Sequence, residues 1–587
     1  MKKTQKAKKI LALAIVATML ALSILGAGCS KRAEDDKGAI LLMYLAADPS
    51  NINLDPGKLL YSAEAIKFLG NMFESLTVVD EKGKLQKGMA QNWTITEDEV
   101  KGEYTIVFNL KSTKWSDGTA VSADDFVYAW KRILEPEFSS PAAALLFDIK
   151  NARAVKEGEM TVDDLGVYAD DATELRVVFD KKIDYNRFLM NLASIYLVPL
   201  RGDTVDFVNE QGKSWTETPG QFLSNGPFAI KGMEYGKAYR FERSIYYLLP
   251  GKKDEDVFKY VTPFSLQLDY TRNLDALATA YANDDYLYYL GSVPKARYDE
   301  FKDKAVLKDL LSTYSYHFNV DKAPFNNPDV RKALSIALDR NEIAKLAGLG
   351  TQPATGIVPH GIIDVKATEE YRKVRGDAIS PSANFAEAEK LLQGVTKTSF
   401  ILKIRDNESE IAVAEYVKSV WEKLGFSVII SPVKGIAVEE SILNRDYDVM
   451  GYDDQAPGLD AWSVLATFAK PFCGETVIFG DEGTSTANPH ITGFYDAAYD
   501  ALIEDIFANY AEDTAGRTAK LFEAEKALVN ISPVVPLYFN TSINLTNKLT
   551  GLTYSKFGYT LFTKANLKNY LEYITTVEDT REVVTPK

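Results

Sequence analysis

The sequence predicts an α/β fold built from more than one domain. The chain has 587 residues, and 46% of them are hydrophobic. One hydrophobic core rarely serves more than about 250–300 residues, so a chain of this length is expected to form two or three domains. Two separate segments each place a strand, a helix and a second strand within about 30 residues, which is typical of parallel sheets covered by helices. We therefore expect two α/β halves.

The first of these segments covers residues 264–290. Its apolar pattern predicts strands at 264–270 and 286–290, with a helix at 274–282 between them. Two strands connected in this way are expected to pair in parallel through a right-handed crossover. We assign this unit to one half of the molecule.

The second segment covers residues 400–430 and has a clearer pattern. Strands are predicted at 400–404 and 428–430. The helix between them ends at Gly425 and has one apolar face, which is formed by Val413, Val417, Val420, Trp421 and Leu424. This unit predicts the other half.

A third region, residues 104–134, predicts a strand, a turn and a helix. Apolar and polar residues alternate over 104–110, as they do in a half-buried strand. Ser122 and Asp125 then form a capping-box pattern at the start of a helix that continues through Ile133.

The first 28 residues have the layout of a secretory signal. Five lysines precede residue 10, an uncharged stretch follows over residues 10–28, and Gly-Ala-Gly stands immediately before Cys29. The uncharged stretch also has the marginal length of a membrane-spanning helix, which is the alternative. The small residues before Cys29 and the charged run 30–37 after it favour a signal peptide over residues 1–28.

The end of this signal resembles a bacterial lipobox, in which the cysteine is acylated and becomes the new N-terminus. The usual leucine three residues before the cysteine is Gly26 here, with Leu25 one position further away. The resemblance implies that Cys29 is lipidated and that residues 29–37 form a linker. It places the protein at the outer face of the cytoplasmic membrane, on the cell surface or in the periplasm.

Charge and cysteine content exclude further classes. Removal of the five signal lysines changes the formal net charge from −15 to −20. Proteins that bind nucleic acid need a basic surface, so no nucleic acid partner is expected. Only Cys473 remains besides Cys29, and no disulfide within the chain is predicted.

Motifs for catalysis are missing from the sequence. The three histidines, His317, His360 and His490, do not have the spacing of a metal site. Residues 212–214 end like a phosphate-binding loop, but Phe207 stands where the upstream glycine is required. No G-x-S-x-G nucleophile elbow occurs. We predict no enzyme activity, no catalytic or metal-binding residue and no cofactor.

An ordered series of motifs extends from about residue 40 to residue 575. The longest are AQNW at 90–93, YTIVFNL at 104–110 and KWSDGTAVSADDFVYAW at 114–130. Shorter motifs are NLDP at 53–56, FESL at 73–76, SNGPF at 224–228, APF at 323–325, VRKAL at 330–334, ALDR at 337–340, YDALI at 499–503 and PLY at 536–538. Together they resemble the bacterial extracellular solute-binding proteins of the oligopeptide and dipeptide class, the peptide-binding lipoproteins of ABC transporters.

This resemblance implies a two-lobed periplasmic-binding-protein clamshell of type II, with an additional α+β domain inserted in the first lobe. The first lobe would be discontinuous, and the hinge would lie near residues 291 and 535. The implied boundaries are residues 38–61, 190–290 and 536–587 for lobe I, 62–189 for the inserted domain, and 291–535 for lobe II.

The resemblance also implies a function. The protein would capture oligopeptides between its closing lobes and deliver them to an ABC transporter permease, as a monomer held to the membrane by its lipid. The alternatives are a receptor of the same fold for a metal chelate or an oligosaccharide, a signalling or chaperone lipoprotein, and an extracellular hydrolase.

Two places in the chain are similar to ligand-binding segments of the family. One is Asn51, Ile52 and Asn53, which correspond to a segment beside the bound peptide. The other follows the strand predicted at 446–450, because open α/β sheets expose ligand crevices at the carboxyl ends of their strands.

In the family, an aspartate at the second place takes the amine of the peptide. Alignment on Pro457 puts Gly458 at that position, whereas other alignments bring Asp454 or Asp460 there. Either aspartate is therefore a candidate for holding the ammonium. Tyr452 and Trp462 are candidates for a side-chain pocket, with simple packing as the alternative.

Overall fold

The structure is a computed structural model, and it describes residues 38–45, 54–58, 65–218, 220–234, 238–248, 257–269, 273–283, 287–479, 485–487 and 489–567. Cys29 and the segment formed by Asn51, Ile52 and Asn53 lie outside the described residues. Their assigned roles therefore stay predictions.

The helices of the described residues are distributed along the whole chain. In chain order they are α1 (Ala65–Met72), α2 (Ala123–Leu134), α3 (Ala152–Lys156), α4 (Tyr185–Asn191), α5 (Gly202–Asn209), α6 (Leu274–Ala282), α7 (Tyr298–Phe301), α8 (Pro328–Ile336), α9 (Arg340–Ala347), α10 (Tyr371–Arg375), α11 (Phe385–Leu391), α12 (Glu408–Lys423), α13 (Ile436–Leu443), α14 (Trp462–Leu465), α15 (Ala497–Asn509) and α16 (Thr514–Ile531).

The strands alternate with these helices. They are β1 (Ile40–Tyr44), β2 (Thr77–Val79), β3 (Leu85–Lys87), β4 (Ala90–Asp98), β5 (Glu103–Leu110), β6 (Val167–Asp171), β7 (Glu174–Phe179), β8 (Phe228–Glu234), β9 (Ala238–Arg243), β10 (Ser265–Asp269), β11 (Tyr289–Leu290), β12 (Val306–Phe318), β13 (Gln352–Pro353), β14 (Ser399–Arg405), β15 (Ser427–Val433), β16 (Val449–Gln455), β17 (Val477–Phe479), β18 (Ser485–Ala487), β19 (Val534–Thr546), β20 (Leu549–Thr550), β21 (Thr553–Tyr554), β22 (Thr560–Leu561) and β23 (Asn566–Leu567).

An eleven-stranded mixed sheet runs through the molecule in the order β15-β14-β16-β12-β19-β11-β1-β10-β9-β8, with β13 paired to β19. The long strands β12 and β19 are antiparallel neighbours in its middle. They therefore join the strands of the two expected halves into one sheet. The boundary expected near residue 535 falls at the start of β19.

The second predicted strand–helix–strand unit is confirmed. Strands β14 and β15 pair in parallel, and α12 connects them. Four of the five apolar residues named above for the helix face lie within α12 and are buried, as is Leu424 at its C-cap. Local periodicity was sufficient here because the two strands are direct neighbours.

The first unit has the predicted elements, but the predicted pairing is wrong. Strands β10 and β11 are both parallel to β1, which lies between them. The inserted strand comes from residues 40–44, more than 200 positions earlier in the chain. Strand β1 forms hydrogen bonds with both β10 and β11. The connection from β10 through α6 to β11 therefore crosses one intervening strand.

A four-stranded antiparallel sheet, β4-β5-β7-β6, forms a separate layer around residues 90–179. The capping box predicted for α2 is present, with the Ser122 amide donating to Asp125 Oδ2 at 2.8 Å. The same oxygen accepts the indole N–H of the fully buried Trp115 at 3.1 Å. Burial raises the pKa of Asp125 to about 6, against the effect of these hydrogen bonds.

Glu525, on α16, is a buried carboxylate that ties this helix to two other segments. Its Oε1 accepts the backbone N–H groups of Ile357 and Val358, each at 2.9 Å, and the guanidinium of the buried Arg372. The hydroxyl of Tyr371 donates to its Oε2 at 3.3 Å. These donors replace the water that the charge loses on burial.

Replacement of Glu525 by Gln is expected to lower the free energy of unfolding by about 3–5 kcal/mol, because Arg372 stays buried without its counter-charge. Urea denaturation at pH 7 measures the change. Glu523→Gln is the matched control, since Glu523 lies on the same helix in an exposed pair with Lys520. That control should change stability by less than about 1 kcal/mol. Equal stability of the two variants would contradict this role of Glu525.

Candidate functional site

The candidate site lies at the carboxyl end of β16. This strand is antiparallel to β12 on one side and parallel to β14 on the other, so it is an inner strand of the sheet. Its last three residues are Asp453, Asp454 and Gln455. The position agrees with the rule that ligand crevices open at the carboxyl ends of strands.

Asp454 is held by a histidine from the neighbouring strand. His317 Nε2 lies 2.8 Å from Asp454 Oδ1, and the His317 side chain is fully buried. The imidazole stacks face to face on Tyr452, with ring centroids 3.4 Å apart. The second carboxylate oxygen, Asp454 Oδ2, is buried and has no hydrogen-bond partner among the described residues.

Asp454 lines a cavity of about 60 Å³. The wall is formed by the end of β16, by α14 and the residues that follow it, and by a loop before α15. Its members are Pro141, Asp453, Asp454, Gln455, Ser463, Val464, Thr467, Phe468, Cys473, Glu475, His490 and Ile491. The cavity is large enough for a small polar group, since a water molecule occupies about 30 Å³ in the liquid.

Most donors in this wall are already used. Ser463 and Thr467 donate their hydroxyl groups to backbone carbonyls at 2.7 Å, and the Cys473 thiol does so at 3.3 Å. The amide nitrogen of Gln455 donates to Leu310 O at 2.9 Å. Its Oε1 has no hydrogen-bond partner among the described residues. Among the buried side-chain atoms of the wall, two acceptors have no hydrogen-bond partner in the described structure, Gln455 Oε1 and Asp454 Oδ2.

The neighbouring Asp453 differs from Asp454 because it is fully paired. Its Oδ2 lies 2.8 Å from the guanidinium of Arg405, and its Oδ1 accepts the amide of Asn540 at 2.7 Å. Arg405 also contacts Glu410, at 2.6 Å. Asp453 therefore belongs to a structural ion network.

Asp460 is not among the residues that line the cavity. Its Oδ2 is 3.8 Å from a guanidinium nitrogen of Arg517 on α16, and both groups are almost fully buried. Burial lowers the pKa of Arg517 to about 9, and the negative charge of Asp460 opposes that shift. Arg517 thus already provides Asp460 with a counter-charge.

The two aromatic candidates are buried and packed. Trp462 donates its indole N–H to Ala144 O at 3.3 Å, and its ring is covered by the guanidinium of Arg517. Tyr452 is covered by His317. Neither ring is part of the cavity wall.

Residues 139–141 form part of one side of the cavity, where Pro141 lines it and two hydrogen bonds hold the segment. Ser139 Oγ donates to Glu475 Oε2 at 2.9 Å, and the Ser140 amide donates to Gly474 O at 3.0 Å. Gly474 has φ +73°, and a Cβ there would lie 2.0 Å from Ser140 O. Only glycine permits this close approach.

Burial also shifts the pKa of three wall residues, Cys473, Glu475 and His490. It raises the pKa of the Cys473 thiol to about 12 and raises the pKa of Glu475. It lowers the pKa of His490 to about 3. Cys473 and His490 are consequently neutral near pH 7.

Sequence reasoning did not assign His317, Gln455, Glu475 or His490 to the site. His317 is a polar residue among the buried aromatic residues of β12, and that contrast is the signal available for it in the sequence. Gln455 adjoins a predicted candidate. Glu475 and His490 are adjacent to the site only in space.

Within the described ranges, no group of three or more histidine, cysteine, aspartate or glutamate residues is arranged to hold a metal ion. None of the described helices combines the length and the apolar character needed to cross a membrane.

Comparison with known families gives one match over most of the chain. The family described as "Bacterial extracellular solute-binding proteins, family 5 Middle" matches residues 84–475.

Two curated relatives are similar over most of both chains. The periplasmic murein peptide-binding protein MppA of Escherichia coli is 29% identical, covering 89% of this chain and 93% of the relative. The probable deoxycholate-binding periplasmic protein YgiS of Escherichia coli is 26% identical, covering 86% and 89%.

Solved structures have the same fold. The Haemophilus influenzae OppA complex with the peptide RPPGFSPFR has a TM-score of 0.72 and 23% identity, covering 91% of this chain and 99% of that one. The Escherichia coli murein tripeptide-binding protein MppA has a TM-score of 0.73 and 24% identity, covering 92% and 99%. Its unliganded open form scores 0.54, covering 91% and 98%. These structures confirm the fold class predicted from the sequence.

Burial of neutral His490 is expected to make the protein less stable as the pH falls. Below pH 6.5 the unfolded chain binds a proton at this residue, whereas the folded chain does so only near pH 3. Between pH 7.0 and 4.5 the wild type should lose about 2–3 kcal/mol more unfolding free energy than His490→Gln. Urea denaturation at both pH values measures this difference. Equal losses in the two proteins would contradict it.

Proposed function

Because this chain belongs to the family 5 bacterial extracellular solute-binding proteins, we propose that it is the extracytoplasmic peptide-binding component of an ABC importer. The observation that carries the proposal is the unpaired, buried Oδ2 of Asp454 in the wall of a cavity. The murein peptide-binding and peptide-bound relatives support the same class of ligand.

The terminal ammonium of a peptide fits the chemistry of this wall. An ammonium carries three N–H donors and one positive charge. Asp454 Oδ2 and Gln455 Oε1 would accept two of these donors, and the carboxylate would offset the charge. A buried carboxylate oxygen without a partner is costly, so the bound amine would relieve an unfavourable state of the empty site. The remainder of the peptide would extend out of the cavity.

The geometry favours Asp454 over Asp460 as the amine ligand. Asp460 has Arg517 as its counter-ion, and it is absent from the cavity wall. Both Asp460 carboxylate oxygens also lack a hydrogen-bond partner among the described residues, but the Arg517 guanidinium 3.8 Å away supplies a positive charge. Asp454 has His317 as its partner, on one oxygen only. The segment formed by Asn51, Ile52 and Asn53 is proposed to lie beside the peptide, as the family resemblance implies.

Other solutes fit this wall less well. An anion such as deoxycholate would be disfavoured at the cavity, because two acidic residues, Asp454 and Glu475, line its wall. An oligosaccharide would need a free aromatic face, but Phe468 is stacked on His490 and Trp462 is covered by Arg517. We therefore place peptides first and other solutes second.

We further propose that the protein binds its ligand without chemical change. The cavity thiol, Cys473, is held as a poor nucleophile because burial raises its pKa to about 12. Its Sγ donates to Lys470 O at 3.3 Å. The expected readout is intact peptide recovered after incubation with the protein.

The two lobes are proposed to follow the boundaries implied by the family resemblance, with 38–61, 190–290 and 536–587 in lobe I, 62–189 in the inserted domain and 291–535 in lobe II. The hinge would lie near residues 291 and 535, just after β11 and at the start of β19.

Asp454→Asn is expected to weaken the binding of trialanine by about 2–5 kcal/mol, because the ammonium loses its counter-charge in a desolvated site. Isothermal titration calorimetry at pH 7.5 measures the affinity. N-acetyl-trialanine, which has no ammonium, should bind the wild type as weakly as trialanine binds the variant.

Two further variants serve as controls. Asp446→Asn removes an exposed carboxylate just before β16 and should leave affinity unchanged. Asp460→Asn should retain binding if its role is to pair with Arg517. Strong binding by Asp454→Asn together with lost binding by Asp460→Asn would show that Asp460, and not Asp454, binds the ammonium.

Lipid attachment at Cys29 is proposed to hold the receptor near its permease. In a bacterial host, wild-type protein should fractionate with membranes, whereas Cys29→Ser should be released to the extracytoplasmic fluid. Mass spectrometry of the mature N-terminus checks the modification directly. An unmodified N-terminus upstream of residue 29 would contradict the proposal.

A further inference from the structure

His490 lines the same cavity as Asp454 and is held in one orientation there. Its ring stacks on Phe468, with ring centroids 4.4 Å apart, and the residue is buried. The loop that carries it is anchored just after β12, where the Val320 amide donates to Thr492 O at 3.0 Å. The imidazole therefore has a defined position in the cavity wall.

Thr492 determines which ring nitrogen of His490 carries the hydrogen. The Thr492 backbone N–H donates to Nδ1 at 3.3 Å, and the Thr492 hydroxyl lies 2.9 Å from the same atom. Because a backbone N–H can only donate, Nδ1 must be an acceptor. The hydrogen of the neutral ring is therefore on Nε2.

The ring of His490 also stays neutral. A second proton would have to bind at Nδ1, where it would face the backbone N–H of Thr492 instead of an acceptor. Burial lowers the pKa of His490 to about 3, and the neighbouring His317 acts in the same direction. Near neutral pH the residue thus has one uncharged N–H donor, at Nε2.

This N–H is not used within the described structure. Nε2 has no hydrogen-bond partner among the described residues, and it is not one of their fully buried unpaired side-chain atoms. The other side-chain donors of the wall are engaged with backbone carbonyls; they belong to Gln455, Ser463, Thr467 and Cys473. In the described wall, His490 therefore provides the side-chain donor that remains for a ligand.

The donor of His490 shares the wall with two unpaired acceptors, Asp454 Oδ2 and Gln455 Oε1. The first residue of a peptide is an α-aminoacyl group, which has an ammonium and a carbonyl on the same carbon atom. The ammonium supplies donors for the two acceptors, and the carbonyl oxygen is an acceptor for an N–H. A simple amine would leave the His490 donor without a partner in a desolvated cavity, which is unfavourable.

We propose that His490 is a specificity-determining residue that donates its Nε2 hydrogen to the first carbonyl oxygen of the ligand, so that the site selects α-aminoacyl compounds over simple amines. This inference rests on the proposed function, because it takes the ammonium to be bound by Asp454. Asp454 recognises the charge, and His490 recognises the adjacent carbonyl. Thr492 acts through His490, since it fixes the tautomer that can donate.

The test compares trialanine with its trans-alkene isostere, in which a carbon–carbon double bond replaces the first peptide bond. The analogue keeps the ammonium and the shape of the chain but has no first carbonyl oxygen. By isothermal titration calorimetry at pH 7.5, the wild type should bind the analogue about three- to tenfold more weakly than trialanine.

Two variants identify the ring position that donates. In His490→Gln the amide nitrogen can take the place of Nε2, whereas in His490→Asn the shorter side chain reaches only the place of Nδ1. His490→Gln should bind trialanine within a few-fold of wild type and keep the preference over the analogue. His490→Asn should bind trialanine about three- to tenfold more weakly and lose that preference.

His360→Gln is the control for replacing a histidine. His360 is paired with Glu370 and is not among the residues that line the cavity. This variant should keep both the wild-type affinity and the wild-type preference.

Nitrogen NMR of the imidazole rings tests the tautomer without a ligand, because protonated and unprotonated ring nitrogens have well-separated chemical shifts. The His490 signals are identified by their loss in His490→Gln. They should show a protonated Nε2 and an unprotonated Nδ1 at pH 7.5. A purely structural role would not require this tautomer.

The outcomes distinguish this inference from the proposed function. Failure of the wild type to bind trialanine would contradict the proposed function. Equal affinity of the wild type for trialanine and the analogue, an unchanged preference in His490→Asn, or a hydrogen on Nδ1 would each overturn the role of His490 and leave peptide binding intact.

Discussion

The antiparallel pairing of β12 with β19 is the constraint on which the rest of the structure depends. Both strands have 13 residues, and they join the strands β14–β16 to the strands β8–β11 in one sheet. Neighbouring strands are held about 4.8 Å apart, so this pair determines how the two halves face each other. A register shift between Asp309 and Thr313, with Leu311 at φ +50°, bends β12 near its centre.

Asp454, which we propose as the binding group, differs from two other buried acids in its hydrogen-bond partners. Glu525 and Asp453 are each held by an arginine and by further donors, which leaves them no capacity for a ligand. Asp454 receives only His317, on one oxygen. A buried carboxylate that is half satisfied is unfavourable by itself, and its second oxygen is available to a donor from outside.

Local patterns predicted the elements well. The capping box at Ser122, the helix between β14 and β15, and the alternation over β5 are each determined by residues a few positions apart. The pairing of β10 with β11 was predicted wrongly because β1 lies between them. For the site, Asp454 was named with Asp460 as an equal alternative. Our preference for Asp454 rests on two tertiary features, the position of Asp454 in the cavity wall and the contact of Asp460 with Arg517.

By itself, the sequence determined the α/β class, the order of motifs and the two acidic candidates, because these depend on periodicity and on residues close together along the chain. Tertiary structure decided the partners of those acids. His317 and Asp454 are 137 positions apart, and Ser139 and Glu475 are 336 positions apart, yet each pair is within hydrogen-bond distance. Contacts of this kind depend on sheet order and on packing between layers, which no short segment encodes.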